Sequence, residues 1–155
     1  MVYNSVMTSL LYNKKANFNY EIKETFSAGI QLYGFEVKAL KTKKGGSLDG
    51  SYVLIQQGEA YLVGAHIPPY QTANTPTDYN SRRPRKLLLI KKELKKILLA
   101  RQTRGLTIVP ISMYNKQNKI KVDIAIARGK KNYDKREIIK KRETDRDIAR
   151  EIKNR

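Results

Sequence analysis

Alternation of apolar and polar residues is the strongest pattern in the chain, and a period of two is typical of half-buried β-strands. Gln57-Gly58 separates two runs rich in β-forming residues and predicts a hairpin, and residues 115–118 provide a second turn. Pro110 lies inside another such segment and indicates a sheet edge or a bulge. The pattern predicts six short strands, over residues 20–26, 29–35, 52–55, 60–63, 106–114 and 120–126.

Helical spacing replaces the alternation in two segments. Residues 36–41 contain helix formers without a breaker and predict a short helix. A second, amphipathic helix with a lysine-rich outer face is expected to end at Gly105. Its apolar stripe consists of Ile90, Leu94, Ile97 and Leu98. Residues 1–19 show no period, and residues 67–85 hold four of the five prolines, which is typical of a functional or mobile loop.

The number and length of the strands indicate the fold class. They are too short and too many for a doubly wound sheet, and hairpins link at least two pairs. We therefore expect a mainly β fold, a small OB-like antiparallel barrel of about six strands with flanking helices. The predicted organisation is an irregular N-terminus over 1–12, an OB-like barrel over 13–128 and a basic C-terminal tail over 129–155.

Charge narrows the function further. The 155 residues include 32 Lys and Arg against 14 Asp and Glu, a net charge of +18. Such an excess indicates a polyanionic partner, and nucleic acid fits best. An anionic membrane and an acidic protein are the weaker alternatives, because the amphipathic helix has only a narrow apolar stripe.

Composition also excludes several kinds of site. There is no Cys and one His, so disulfides, thiolate zinc sites and histidine metal clusters are excluded. We expect no metal and no cofactor. Apolar runs reach about four residues, whereas a membrane span needs roughly 20. The first ten residues lack the features of a secretory signal, so we expect a cytoplasmic protein with no membrane partner.

The C-terminal tail differs in composition from the rest of the chain. Residues 128–155 hold 12 Lys and Arg and 6 Asp and Glu, with few apolar side chains, so we expect the tail to be disordered when free. Written as a helix, it places four basic residues in one stripe that suits phosphates, although an ordinary charged helix would show the same pattern. The stripe consists of Arg142, Arg146, Arg150 and Lys153.

Individual residues carry weaker signals. The segment 127–136 is basic, contains a glycine that lets the backbone approach a phosphate, and includes Tyr133, which is suited to base stacking. A solvated linker would look similar. His66 has no partner in the sequence that would make it a general base, and Glu36 alone is typical of a helix-start carboxylate.

Several motifs, taken together and in this order, resemble the SmpB family, the SsrA-binding proteins of bacteria. They are Asn13-Lys-Lys-Ala16, Gly34-Phe-Glu-Val-Lys-Ala-Leu40, Arg83-Pro-Arg-Lys-Leu-Leu-Leu89, Ala127-Arg-Gly-Lys-Lys131 and Tyr133-Asp-Lys-Arg136. The resemblance extends from about Asn13 to the C-terminus. It implies a non-enzymatic RNA-binding protein with an OB-like barrel. It also implies delivery of transfer-messenger RNA (tmRNA, SsrA) to stalled ribosomes for trans-translation.

The resemblance also implies partners and site residues. The partners are the tRNA-like domain of tmRNA, the small-subunit rRNA at the decoding centre and mRNA channel, and elongation factor Tu with GTP. Residues expected to bind tmRNA are Asn13, Lys14, Lys15, Glu36, Lys38, Arg85, Lys86, Leu88, Arg128, Lys130 and Lys131. Residues expected at the decoding centre and in the empty mRNA channel are Tyr133, Asp134, Lys135, Arg136, Arg142, Arg146, Arg150 and Lys153.

Two departures and two alternatives stand beside this resemblance. Ser27 replaces an acidic residue that the family commonly has before Ala-Gly, and the loop Lys43-Lys-Gly-Gly46 is unusually rich in glycine. A constitutive ribosomal protein would share the basic barrel and tail. An RNA-modifying or RNA-cleaving enzyme would need a lysine or His66 as its base.

Overall fold

One antiparallel sheet of seven strands forms the body of the chain in the computed structural model, which describes residues 7–130 and 132–153. The strand order is β1-β6-β7-β2-β5-β4-β3. The edge strand β3 also packs against β6, so the sheet curls over itself around one core. The strands are β1 (Met7–Tyr12), β2 (Tyr20–Ile30), β3 (Tyr52–Gln56), β4 (Glu59–Val63), β5 (Arg85–Leu88), β6 (Leu106–Lys116) and β7 (Lys119–Gly129).

Four α-helices flank the sheet within the described ranges: α1 (Lys14–Asn19), α2 (Gly34–Lys41), α3 (Lys91–Gln102) and α4 (Asn132–Lys153). A 3-10 turn spans Thr72–Asn74. The mainly β fold class with flanking helices is therefore confirmed, as are the two internal helices. No helix of the part described is long and apolar enough to cross a bilayer.

Both tight hairpins have the backbone geometry that their strands require. Gln57 and Gly58 connect β3 to β4 with φ of 52° and 75°, and Gln117 and Asn118 connect β6 to β7 with φ of 51° and 63°. Two consecutive residues with positive φ form the turn whose twist matches that of antiparallel strands. The hairpins predicted at these positions are confirmed.

Three sequence-based expectations about strands are wrong. Residues 7–12, expected to be irregular, pair with β6 as strand β1, and the chain then continues into α1. The strand predicted over 29–35 does not exist as a separate element, because β2 runs without a break to Ile30. Strand β5 begins at Arg85, the last residue of the predicted loop, and it was not predicted; it pairs with both β2 and β4.

The predictions about Pro110 and about the apolar stripe of α3 are only partly confirmed. Pro110 is buried in β6, inside the sheet, and the register with β7 shifts between Pro110 and Ser112, so the bulge is confirmed and the edge is not. Ile97 on α3 is fully buried, whereas Leu98 on the helix and Ile90, the residue before it, are exposed. The face that packs on the sheet is therefore narrower than the stripe predicted from the sequence.

The glycine-rich loop at residues 43–46 passes close to the body of the protein. Gly46 has φ of +124°, and a Cβ built there would lie 2.9 Å from the carbonyl oxygen of His66. That same carbonyl accepts a hydrogen bond from the amide of Ser47 at 3.0 Å. Gly45 also has a positive φ, of +115°, but a Cβ there meets nothing within 4 Å. Glycine at 46 thus serves both conformation and close approach.

We expect Gly46→Ala to lower the free energy of unfolding by more than Gly45→Ala does. The substitution at 45 adds backbone strain alone, of about 1–3 kcal/mol, whereas the substitution at 46 adds a clash that also disturbs the Ser47–His66 pairing. Urea unfolding of both variants measures the difference. Equal destabilisation by the two substitutions would show that the close approach of Gly46 to the His66 carbonyl does not affect the free energy of unfolding.

Candidate nucleic-acid interface

Glu36 lies at the centre of a buried polar cluster that joins α2 to β5 and to the proline-rich loop. Its Oε1 accepts hydrogen bonds from the backbone amide of Tyr33, at 2.8 Å, and from Nη2 of Arg83. Its Oε2 accepts from the hydroxyl of Tyr79 at 2.8 Å and from Nε and Nη2 of Arg85 at 2.8 and 2.6 Å. We call Glu36, Tyr79, Arg83 and Arg85 the Glu36 cluster.

Arg85 has no exposed surface and uses its remaining donors on backbone carbonyls. Its Nη1 donates to the carbonyl of Ala65 at 2.8 Å, and its Nη2 donates to that of Ser81 at 3.0 Å. The Tyr79 hydroxyl, besides its bond to Glu36, lies 2.9 Å from the carbonyl oxygen of Ile67. Charge pairing and hydrogen bonding together make this burial of an ion pair tolerable.

Electrostatics within the cluster favour an ionised carboxylate. Burial alone would raise the pKa of Glu36, but hydrogen bonds from Arg83, the Tyr33 amide and Arg85, with the charge of Arg85, hold that pKa below its ordinary value. Burial and the bond to Glu36 raise the pKa of Tyr79 to about 12. Glu36 is thus an anion and Tyr79 a neutral donor at physiological pH.

Burial changes the roles expected of three tmRNA-binding residues. Glu36 and Arg85 are completely inaccessible, and Asn13 is 6% exposed, with its Nδ2 donating to the Pro110 carbonyl at 3.0 Å. Direct contact of the Glu36 and Arg85 side chains with RNA does not fit this structure. A carboxylate and a guanidinium in this sequence context suggested a surface site, but their charges satisfy each other in the interior.

The surface beside the Glu36 cluster contains the remaining residues expected in this region. Lys38 is exposed on α2, and the side chain of Leu88 at the end of β5 is half exposed. Lys86 is partly exposed and donates to Glu59 at 2.9 Å. Because this ion pair is open to solvent, it leaves Lys86 available to exchange its partner for a phosphate.

A second basic region lies where α1 meets the end of β7. Lys14 and Lys15 are exposed on α1, and Arg128 is exposed on β7. Lys130 connects the two elements, because its amide donates to the Asn19 carbonyl and its Nζ to a second carbonyl on α1, both at 2.8 Å. We call Lys14, Lys15, Arg128 and Lys130 the α1 basic cluster.

The structure therefore places the expected tmRNA-binding residues in two regions. Tyr20, at the start of β2, pairs with Gly129, and Gly29, near its end, pairs with Leu88. Arg128, next to Gly129, is thus separated from Leu88 by the length of the 11-residue strand, about 30 Å along its axis. A ligand that contacts both must be extended on that scale. Lys131 lies outside the described residues.

Helix α4 carries the basic stripe of the tail. Arg136, Arg142, Arg146, Arg150 and Lys153 are exposed on it, and Lys135 is partly exposed. The guanidinium of Arg142 lies over the ring of Phe18 on α1, 5.8 Å from its centroid. Tyr133 and Asp134 belong to the helix, but their side chains lie outside the described residues.

His66 and Ser27 have structural partners. Nδ1 of His66 lies 3.0 Å from Oγ of Ser81, and burial together with nearby arginines lowers the pKa of the imidazole. Ser27 lies 2.6 Å from the hydroxyl of Tyr114, which donates to Asp123 at 3.0 Å. A carboxylate on the neighbouring strand thus stands directly opposite the position where an acidic residue was expected.

Sequence reasoning missed an aromatic group next to the Glu36 cluster. Tyr33 is 53% exposed, and the guanidinium carbon of Arg83 lies 3.9 Å from its ring centroid. Phe35 packs edge-on against Tyr79, with ring centroids 4.8 Å apart. The Arg-x-Arg spacing at 83 and 85 was the available signal, because residues two apart in an extended segment lie on the same side. Both guanidiniums bind Glu36, and that of Arg83 also lies over the ring.

These features define a class of protein: a basic β-sheet body with two separate cationic surfaces and a cationic helix is typical of nucleic-acid-binding proteins. The chain belongs to the SmpB family, whose model, described as SmpB protein, matches residues 10–154. This is a family of RNA-binding proteins and not of enzymes.

Relatives and a solved structure support the assignment. The SsrA-binding protein of Trichodesmium erythraeum is 48% identical over 141 residues, which cover 91% of this chain and 90% of that protein. That of Fervidobacterium nodosum is 47% identical over 148 residues, covering 95% and 98%. A solved chain from work on tmRNA-SmpB and the center of the bacterial ribosome matches with a TM-score of 0.65 and 41% identity, covering 81% of this chain and 87% of that one.

We expect Glu36→Gln to lower the free energy of unfolding by about 3–5 kcal/mol, because it leaves the buried Arg85 without its counter-charge. Glu59→Gln is the matched control: it removes a carboxylate from the solvent-exposed pair with Lys86 and should change stability little. Chemical unfolding at neutral pH measures both. A mild effect at position 36, equal to that at 59, would contradict a central structural role.

Acidification provides a second measurement of the same group. A carboxyl whose pKa is lowered by folding stabilises the folded state above its unfolded pKa, which is about 4.3 for Glu. That contribution is lost as pH falls through the lower, folded-state pKa. The stability difference between wild type and Glu36→Gln should therefore shrink as the solution is acidified below about pH 4.

Proposed function

We propose that this protein binds the tRNA-like domain of tmRNA and delivers it to stalled ribosomes for trans-translation. The observation that carries the proposal is the match of most of the chain to a solved SmpB from the tmRNA-ribosome system, together with SsrA-binding relatives close to half identical in sequence. Its partners are tmRNA and the ribosome. The mechanism is positioning of RNA, with no bond chemistry and no catalytic group.

Two basic surfaces on the body support the binding of one folded RNA. The α1 basic cluster and the surface around Lys38, Lys86 and Leu88 lie at opposite ends of β2, so a folded RNA can span both. Phosphate contacts by exposed lysines and arginines fix its position and make the affinity depend on salt. The buried Glu36 cluster supports this surface from within by fixing α2 against β5.

We further propose that helix α4 enters the empty mRNA channel. Its exposed basic stripe suits a channel lined by phosphates, and its apolar residues Ile139, Ile148 and Ile152 are exposed, so the helix gains little from packing on the body. The tail is therefore proposed to order fully only on the ribosome, with Tyr133–Arg136 near the decoding centre. Elongation factor Tu with GTP is the proposed delivery partner, and the cytoplasm the proposed location.

Removing the tail should separate the two activities. We expect a chain that ends after Tyr133 to retain most of its affinity for the tRNA-like domain but to lose tagging of nascent chains on stalled ribosomes. Gel-shift titration and a reconstituted tagging assay measure the two. The matched control is full-length protein with Lys91→Gln, Lys92→Gln and Lys95→Gln, which removes exposed charge from α3 but leaves the tail intact.

Three outcomes would contradict this proposal. A loss of RNA affinity in the shortened chain comparable to its loss of tagging would remove the division of labour. Recovery of the protein at one copy per actively translating ribosome would favour the alternative, a constitutive ribosomal RNA-binding protein. Tagging that fails equally in the α3 control would indicate dependence on total charge alone.

A further inference from the structure

The exposed ring of Tyr33 and the guanidinium of Arg83 form a preorganised stacked pair, with the guanidinium carbon 3.9 Å from the ring centroid. Glu36 fixes both partners through the same oxygen, Oε1, which accepts from the Tyr33 amide and from Nη2 of Arg83. Glu36 is itself immobilised by Arg85 and Tyr79. The Tyr33–Arg83 pair is therefore held in place before any ligand arrives, which reduces the entropic cost of binding.

Open space lies on both sides of this pair. One cleft of about 510 Å³ is lined by the pair together with Phe35, Pro76 and Tyr79. Another, of about 750 Å³, is lined by the pair together with Lys86. The first is walled mainly by aromatic rings and has Asp78 and Asn80 at its polar side. Rings and a planar cation around an open cleft suit a flat π-system edged by hydrogen-bonding groups.

The charges of the cluster indicate which part of a nucleic acid this surface recognises. Arg83 already donates from Nη2 to Glu36, so a phosphate would have to compete with that carboxylate for the guanidinium. Its stacking face is independent of the ion pair, because a guanidinium binds carboxylates in its plane. The surface therefore favours a base over a backbone phosphate.

We propose that an unstacked nucleobase of the bound RNA packs against the Tyr33–Arg83 pair in the aromatic cleft. The proposal rests on the RNA-binding function and adds a stacking contact to the phosphate contacts of the two basic surfaces. Exposed Lys38 and Arg82, close in sequence to Glu36 and Arg83, supply positive charge for the flanking backbone. A proline-rich peptide also fits aromatic clefts, but the net charge of +18 favours RNA.

Substitution of Tyr33 tests the contact in the full-length protein with the tRNA-like domain of tmRNA as ligand. Tyr33→Leu should weaken binding roughly 5- to 150-fold, the range that loss of one base–aromatic stack gives. Tyr33→Phe keeps the ring and should restore most of the affinity. The slope of log affinity against log salt should be the same for wild type and Tyr33→Leu, because no phosphate contact is lost.

The control is Leu99→Ala on α3, which removes an apolar side chain that is 65% exposed. Position 99 is distant in sequence from Tyr33 and Arg83, so this substitution should leave RNA affinity unchanged. Thermal unfolding of every variant reports whether the fold is intact. RNA labelled with 2-aminopurine at single unpaired positions adds a direct readout: the stacked position should brighten when Tyr33→Leu replaces wild type.

The outcomes separate this proposal from the function on which it rests. Wild-type protein that fails to bind the tRNA-like domain would refute the proposed function. Wild-type binding with equal affinity for Tyr33→Leu, or with an equal loss for Tyr33→Phe, would overturn the stacking site alone. Unchanged RNA affinity together with chemical-shift changes at Tyr33 on adding a proline-rich peptide would reassign the cleft to a peptide.

Discussion

The buried carboxylate of Glu36 holds together parts of the chain that are distant in sequence. It binds side chains 43, 47 and 49 positions away, and these belong to the proline-rich loop and to β5. A single negative charge with two arginines in its shell leaves one net positive charge in a region of low polarity. Such an arrangement is stable only with all partners in place, so the geometry of α2, β5 and the intervening loop is set as one unit.

That constraint explains how a small, strongly charged chain can present an ordered RNA-binding surface. The core is mostly aliphatic, and lysines and arginines cover much of its outside. Mutual repulsion among surface cations opposes folding. The hydrogen bonds to Glu36 fix some of the segments that carry these cations, and the hydrogen bonds from Lys130 to α1 fix others. Recognition then depends on where cations are held more than on how many there are.

Local patterns explain which parts of this structure were predictable. Runs of β-forming residues, alternation and tight turns predicted β3, β4, β6 and β7, and alternation predicted most of β2 although its partner β7 is distant in sequence. It missed β1 and β5, whose partners are far away and whose short sequences, MTSLLY and RKLL, carry little period. Two adjacent strands were predicted where β2 and a loop exist, because the alternation continues past Ile30 although the hydrogen-bonding partner changes there.

The site was less predictable than the fold, for a related reason. Glu36 and Arg85 are charged residues that the motifs place in the binding region, and nothing local to either reveals that the other neutralises it in the interior. Tyr33 and Arg83 form a pair only after α2 and β5 are brought together. Residue type and motif therefore predicted the region, whereas tertiary contacts decide which of its members are exposed.

The junction between body and tail has a mechanical consequence. Lys130 is tied to α1 through both its backbone and its side chain, and α4 begins two residues later. A 22-residue helix measures about 33 Å. Once α4 is ordered on the ribosome as proposed, the orientation of the body on its RNA would determine where the far end of that helix lies.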